Sequence, residues 1–585
     1  MTALRVCAVV MVHLCSCQED AGRPASRRPA TTEPARPDAV RKPAAKAEAG
    51  LTDVTNQVGL AFVHHSGATG SRHMPEIMCG GAALFDMDGD GDLDAYLING
   101  NERLPETGVS LAHTNRLFRQ GSDGRFRDVT DGSGLGDGGY GMGVAIGDID
   151  NDGLADVYVS NYGPDRLYRN RGDGRFQDVT EAAGVRVPGW SASAAFFDFD
   201  RDGFLDLYVT QYLQYDRFKQ CTDRAGRPDY CSPQAYLPVD DVLLRNLGGG
   251  RFADVSENAG IHAGAPCAGL GVVCADFNED GWQDIYVAND GYPNQLWINN
   301  QDGTFSDRAV AMGAAFNGQG MSEAGMGVTC GDFDNDGHLD LFLTHLANET
   351  NTLYRNLGRS EGFVDGTVAF GLGRPSFSNT GFGAIAVDLE LDGDCDLLVA
   401  NGRVSHAIGL KSATCPSALQ CYAERNRIYV SDGRRFHEAA MDGRAARNPA
   451  AFGYPVEISR GLAAGDVDGD GDSDFLVVNM DGPARLYRND TGPSGHWLAV
   501  RAVDPRVHRN AIGSVVRVVA GGRTLVRTIA RASSYLSSSE PMARFGLGVV
   551  AQVDRITVTW PDGKQETFRT RIVDRVLTLS RGSGE

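Results

Sequence analysis

The stretch DMDGDGDLD (residues 86–94) places aspartates at positions 1, 3, 5 and 9 of a nine-residue loop, with glycine at position 6. The form returns six times, as DIDNDGLAD (148–156), DFDRDGFLD (198–206), DFNEDGWQD (276–284), DFDNDGHLD (332–340), DLELDGDCD (388–396) and DVDGDGDSD (466–474). The loops begin 62, 50, 78, 56, 56 and 78 residues apart, so insertions of variable length separate constant units. A repeat at this period signals a repeat architecture and has to be read before anything else.

Around each loop the pattern is equally regular. A glycine-rich apolar segment precedes it, as in GMGVAIGD (141–148), GMGVTCGD (325–332) and GFGAIAVD (381–388). A β-type run follows (AYLI, VYVS, LYVT, IYVA, LFLT, LLVA, FLVV), and then a second run such as RLYRN (166–170), LWINN (296–300) or LYRN (353–356). A glycine turn and a short last strand end the unit, as in GDGRFQDVT (172–180). Four short strands per unit predict an all-β, seven-bladed β-propeller over residues 51–490. Only six RFxDVT-type strands follow the seven loops, and LTDVTNQVGL (51–60) carries the missing one at the amino end. The ring is therefore expected to close its last blade with the N-terminal strand, leaving no open edge.

Oxygen ligands at positions 1, 3, 5 and 9, with the position-7 carbonyl, suit a hard cation of the size of Ca²⁺ better than Mg²⁺. The candidate ligands are Asp86, Asp88, Asp90 and Asp94; Asp148, Asp150, Asp152 and Asp156; Asp198, Asp200, Asp202 and Asp206; Asp276, Asn278, Asp280 and Asp284; Asp332, Asp334, Asp336 and Asp340; Asp388, Glu390, Asp392 and Asp396; and Asp466, Asp468, Asp470 and Asp474. An EF-hand would need glutamate at position 12, where this chain has Leu97, Val159, Val209, Val287, Leu343, Val399 and Val477. Single Asp-Gly turns are common in hairpins, but seven copies at one spacing point to up to seven structural Ca²⁺ ions. Crowded carboxylates repel one another, which makes the ion part of folding. The loops with Asn278 and Glu390 at position 3 are expected to differ in affinity.

The 585-residue chain carries a formal charge of −21. The seven loops hold 31 of the 76 acidic residues and only Arg201 of the 55 Lys and Arg, which leaves 45 acids against 54 bases elsewhere. The acidity thus belongs to the loops. A nucleic-acid partner is not expected, because phosphate neutralisation needs a basic surface.

The loops and flanking strands resemble integrin-type FG-GAP repeats, also described as VCBS-like. Beyond NDTGPSG (489–495) the composition turns basic and β-branched, and HWLAVRAV (496–503), NAIGSVVRVVAGGRTLVRTI (510–529), SSYLSSSEPMARFGLG (533–548) and VDRITVTWPDGKQETF (553–568) read as strands of a small β domain over 495–585. HWL, RNAIG (509–513), YLS (535–537), FGLG (545–548) and VxWPDG (558–563) look like the ASPIC/UnbV domain. The pairing resembles the cartilage acidic protein family, with bacterial members. That resemblance implies extracellular calcium binding and protein or matrix interaction, and implies no reaction.

The first seventeen residues hold one early base, Arg5, and a short apolar run from Val6 to Leu14. This reads as a secretory signal, too short to span a bilayer. Leu14-Cys15-Ser16-Cys17 resembles a bacterial lipoprotein box with Cys17 as the lipidated residue, plain secretion being the alternative. Residues 18–50, rich in proline and alanine, read as a disordered linker. Cys221 with Cys231, and Cys415 with Cys421, sit in polar insertions and are candidate disulfides of an oxidising compartment. No zinc-type CxxC spacing occurs.

Other signals carry less. Arg171-Gly172-Asp173 spells an adhesion tripeptide but falls in the recurring turn between strands. His64, His65, His73, Met74, Met78 and Cys79 combine imidazole and soft sulfur, which suggests copper or haem; the plainer reading is a lining of the ring's central end. No GxSxG elbow, HExxH or phosphate loop is present. The expected function is an extracellular binding or adhesion module in the cell envelope, contacting a protein or glycan through insertions 211–240 and 401–426, with membrane contact only through a lipid anchor. The alternative is an enzyme or biosynthetic accessory using the central channel.

Overall fold

The computed structural model describes residues 50–101, 112–359, 361–407, 412, 414–439, 451–491 and 495–585. The leader, Cys17 and most of the proline-rich linker lie outside the described residues. No helix among the described residues is long and apolar enough to cross a membrane.

Seven four-stranded antiparallel sheets carry the acidic loops, one loop per sheet between the first and second strands. The second sheet, Gly141–Gly147, Asp156–Asn161, Arg166–Asn170 and Phe176–Asp178, is representative. Its first two strands are buried along their whole length, so side chains on both faces pack against neighbouring sheets. The fourth strand shows only Phe176 to the interior. This gradient from enclosed inner strands to wet outer ones is the layout of a propeller.

The ring closes on two kinds of contact. Each first strand touches that of the next sheet, and Ser459–Gly465 of the seventh touches Ala82–Phe85 of the first. At the outer edge of the seventh sheet, Leu51–Asp53 pairs antiparallel with Arg485–Asn489 in the register Leu51–Asn489, Thr52–Arg488, Asp53–Tyr487. The strand missing from the carboxy end of the repeat is thus supplied by the amino end. Arg485 fixes it, pairing with Asp53 at 2.5 Å and Glu457 at 2.6 Å.

The asparagine that ends five of the seven third strands joins adjacent sheets. Nδ2 of Asn170, Asn246, Asn299, Asn356 and Asn489 donates to the position-2 carbonyl of the preceding loop: Met87, Ile149, Phe199, Phe277 and Leu389, at 2.8–3.2 Å. Gln120 does the same for Val467 at 2.7 Å, across the point of closure. In the sixth sheet the position is Ser431, too short for this reach.

The carboxy-terminal residues form two further four-stranded sheets. His496–Asp504 lies between Arg509–Asn510 and Ala543–Gly548 and also pairs parallel with Arg575–Ser580. Val515–Ala520 lies between Arg523–Thr528 and Arg555–Thr559, which pairs with Gln565–Phe568. One apolar core runs from Tyr158 and Leu207 of the second and third sheets to Leu498, Val516 and Val558 of this domain.

The sequence reading of 533–548 as strand is corrected: only Ala543–Gly548 is one. Residues 534–539 instead run where the first strands of six sheets converge. Ser534 exchanges backbone hydrogen bonds with Val328, Ser538 with Ala82 and Leu84, and Leu536 O accepts from Val144. Leu536 N donates to Ser193 Oγ at 3.0 Å. The serine hydroxyls accept inner-strand N–H groups, Ser534 from Ala384, Ser537 from Ala82 and Ser539 from Ala464. A short segment can meet six sheets only at their common centre, so it fills the axis. Its approach explains the glycines before the loops: a Cβ on Gly81 would lie 2.1 Å from Leu536 O, and one on Gly143 would lie 3.1 Å from Leu536 Cα.

Candidate metal centres

Every acidic loop is held by the same four backbone contacts. Position 1 accepts the position-6 glycine N–H, from Gly91 on Asp86 to Gly471 on Asp466, at 2.8–3.2 Å. Position 5 accepts the position-7 N–H at 2.9–3.1 Å. Position 9 uses both oxygens: one accepts the position-2 N–H, the other the N–H ending the third strand. For Asp156 these donors are Ile149 at 2.9 Å and Asn170 at 2.7 Å. The position-6 glycines adopt φ between +91° and +102°, a region open to glycine at little cost.

Position 4 is also left-handed, at φ of +56° to +79°, from Gly89 through Asn151, Arg201, Glu279, Asn335 and Leu391 to Gly469. Sequence reasoning missed this second turn position, although four of the seven loops carry Gly or Asn there. Where a side chain is present it can reach the next loop. Asn151 Nδ2 donates to Gly203 O at 3.0 Å, Asn335 Nδ2 to Asp394 Oδ1 at 3.0 Å, and Glu279 meets His338. The Arg201 guanidinium lies 3.8 Å from the Trp282 ring centroid.

The turns bring carboxylates together in five loops. One oxygen from each of Asp86, Asp88 and Asp94 lies within 4.8 Å of the others, and the same holds for Asp148, Asp150, Asp156; Asp198, Asp200, Asp206; Asp332, Asp334, Asp336; and Asp466, Asp468, Asp474. Four of these sets contain a buried carboxylate oxygen without a donor: Oδ1 of Asp88, Asp150, Asp198 and Asp332. A buried, undonated carboxylate oxygen is costly, and a hard cation satisfies it. The residues therefore fit a divalent ion held by oxygen. Burial pushes position 9 upward without one, Asp94 to about 7 and Asp156 and Asp474 to about 8.

An arginine from the third strand faces each of these five loops. Arg119 pairs with Asp88 at 2.6 Å, Arg169 with Asp150 at 2.5 Å and Arg245 with Asp200 at 2.6 Å; Arg355 pairs with Asp334, and Arg488 lies 3.8 Å from Asp468. The loops at 276–284 and 388–396 differ. Their position-3 residues are Asn278 and Glu390, and Ile298 and Val430 replace the arginine. Asn278 Nδ2 donates to Asp280 at 3.0 Å, and neither loop gathers three carboxylates as the five do.

The inner side of the loops meets the carboxy-terminal domain. Arg509 donates to Asn151 Oδ1 at 2.9 Å and Gly203 O at 3.1 Å, and Arg523 to Asp392 O at 2.9 Å and Asp394 at 2.5 Å. Gly546 N donates to Asp388 Oδ2 at 2.9 Å, and Arg544 lies 3.8 Å from Asp466. Burial raises Asp388 to about 7, and the nearby Arg527 opposes the rise.

Cys221 and Cys231 form a disulfide. The second candidate pair is corrected: Cys415 and Cys421 are free thiols. The Cys415 sulfur turns toward the Pro416 carbonyl, and Cys421 is held in the 3-10 turn Gln420–Tyr422. The insertions do not stand clear of the ring either, since Tyr212, Tyr230 and Tyr422 are buried in the core that includes Tyr535.

The FG-GAP-like repeat family matches residues 86–159, 148–209, 276–343 and 332–399, and the ASPIC and UnbV family matches 504–585. The chain is similar to the cartilage acidic proteins. It is 27% identical to mouse cartilage acidic protein 1 over 364 residues, covering 59% of this chain and 51% of that protein. Against the human protein the figures are 27%, 59% and 50%. The chain thus spans about half the length of these relatives. Among solved structures, the BP39L lectin of Burkholderia pseudomallei matches with a TM-score of 0.41 at 10% identity, over 71% of this chain and 97% of the lectin. An Agrocybe aegerita lectin matches at 0.39 and 15%, over 69% and 86%. Likeness at this level speaks to neither ligand nor activity.

Proposed function

We propose that the chain is a seven-bladed, calcium-loaded propeller that acts outside the cytoplasm as a binding module, with Ca²⁺ as a structural ion in its acidic loops. The observation that carries this reading is the set of carboxylate groups with buried, undonated oxygens. The hard oxygen donor set and the FG-GAP relationship both favour Ca²⁺. The two loops with Asn278 and Glu390 are weaker or empty sites in this reading, so the full count of seven is an upper bound. Export fits the Cys221–Cys231 disulfide, and lipidation at Cys17 would tether the ring to a membrane through residues 18–50. The partner in this reading is an extracellular protein or glycan.

The alternative of an enzyme working in the central channel loses support from the filled axis. Residues 534–539 run along it, and Tyr535 OH donates to Met78 O at 2.7 Å within the apolar cluster that includes Met74 and Ile77.

Thermal unfolding of the mature protein in calcium and in chelator tests the calcium reading. A site held at about 100 times its Kd contributes about 2.7 kcal/mol. Five such sites should separate the two melting temperatures by more than about 10 °C. Equal melting temperatures would overturn the structural role of the ion.

A further inference from the structure

We propose that a cleft at the strand ends opposite the acidic loops is a binding site for a small organic acid, with Arg72 as the residue that receives its carboxylate. The cleft has a volume of about 390 Å³ and is lined by Val63, His64, His65, Arg72, Leu419 and Asp481, among others. This lies within the size range of small-molecule sites, about 300–1,000 Å³.

Arg72 is the unusual group. Its backbone sits at φ +60°, a left-handed conformation that long side chains rarely adopt. Strain of this kind persists where surrounding structure imposes it, and it collects at ligand sites. The guanidinium lies 5.8 Å from the Tyr230 ring centroid and 5.6 Å from that of Tyr422, so aromatic faces orient it. No ion pair within 4.0 Å joins it to a carboxylate among the described residues, in contrast to the arginines at the acidic loops. A fixed guanidinium fork lining a cleft matches a planar carboxylate.

The other walls are settled groups. Asp481 accepts from Ser66 N at 2.7 Å and Ser66 Oγ at 2.6 Å, which fixes the turn leading into the cleft. His64 Nδ1 accepts the Asp481 N–H at 3.4 Å, which leaves its proton on Nε2, 3.7 Å from Cys79 Sγ. His65 stacks on His113 with ring centroids 3.8 Å apart. Val63, Pro416 and Leu419 add an apolar wall. One oriented cation beside an apolar wall and imidazoles favours an acid with an organic body over a bare inorganic anion.

The test is calorimetric titration of the calcium-loaded full chain with glucuronate and benzoate, with glucose and inorganic phosphate as comparisons. At least one of the two acids should bind more tightly than glucose or phosphate. R72A should weaken that acid at least about tenfold, and R72K should recover only part of the loss. The melting temperature of R72A in calcium should stay close to that of the parent, which separates lost binding from lost fold. Absence of binding by both acids, equal binding of glucose, tighter binding of phosphate, or unchanged affinity in R72A would each overturn the proposal. The calcium-dependent melting shift is measured separately, so either reading can fail alone.

Discussion

Asn246 uses one side chain for three backbone groups. Its Nδ2 reaches Ile149 O of the neighbouring sheet and Leu205 O of its own, both buried, and its Oδ1 accepts Gly248 N. N246A leaves those carbonyls without this donor in a place water cannot reach. The expected cost is about 2–3 kcal/mol, read as a lowered denaturation midpoint with unchanged slope. A change within experimental error would show the clip to be dispensable. Glu76 makes a pH-dependent case. It is 3% exposed, and burial pushes its carboxyl from 4.5 up to about 7. A carboxyl raised in the folded state costs nothing below the unfolded value, and its penalty grows with pH until it is complete above about 7. E76Q removes that penalty, so it should stabilise the protein at pH 8 by on the order of 3 kcal/mol and much less at pH 5. Melting curves at the two pH values check the sign; a larger gain at pH 5 would contradict it.

At the scale of the element, each acidic loop carries its own counter-charge. The Arg169 guanidinium meets Asp150 at 2.5 Å and Asp152 at 3.2 Å, and part of it remains in solvent. With calcium present the ion supplies the neutralising charge. In chelator the arginine is the nearest cation left. R169A should therefore destabilise the chelated protein more than the loaded one, by about 0.5–1 kcal/mol for a partly exposed pair. Melting of parent and variant with and without calcium measures the difference, and an equal loss in both conditions would remove the arginine from this role. The loops at 276–284 and 388–396 lack both the third-strand arginine and the position-3 aspartate.

At the scale of the whole molecule, the acidic loops and the basic carboxy-terminal domain are two sides of one interface. The loops present carboxylates and carbonyls inward, and Arg509, Arg523 and Arg544 come to meet them. Residues 534–539 continue into the axis and satisfy inner-strand N–H groups of several sheets at once. Ring and domain should thus unfold as one unit. Tyr535 is fully buried, packs edge-on against Phe382 with centroids 4.9 Å apart, and donates to Met78 O. Y535A is expected to cost about 3–5 kcal/mol and to shift a single calorimetric transition. Two separate transitions, with the ring's own unmoved by Y535A, would show that the segment does not hold the ring.

Much of this was legible in the chain because the repeat is written locally. Loop spacing, position-6 glycine, alternating strands and the displaced LTDVT strand depend on residues close in sequence, where sterics and hydrogen bonding act within a few positions. The sequence by itself determined seven like units, their acidic loops and the clasp between residues 51–53 and 485–489. Only the tertiary structure decided what lies against those loops and what fills the centre. SSYLSSSE reads as a strand between glycine turns, yet its partners are brought together from residue 82 to residue 464, and no local pattern encodes that meeting. The same holds for Arg72, whose setting depends on Tyr230 and Tyr422 from two distant insertions. Charge and burial of this kind are properties of the closed ring, because only closure places those groups within reach of one another.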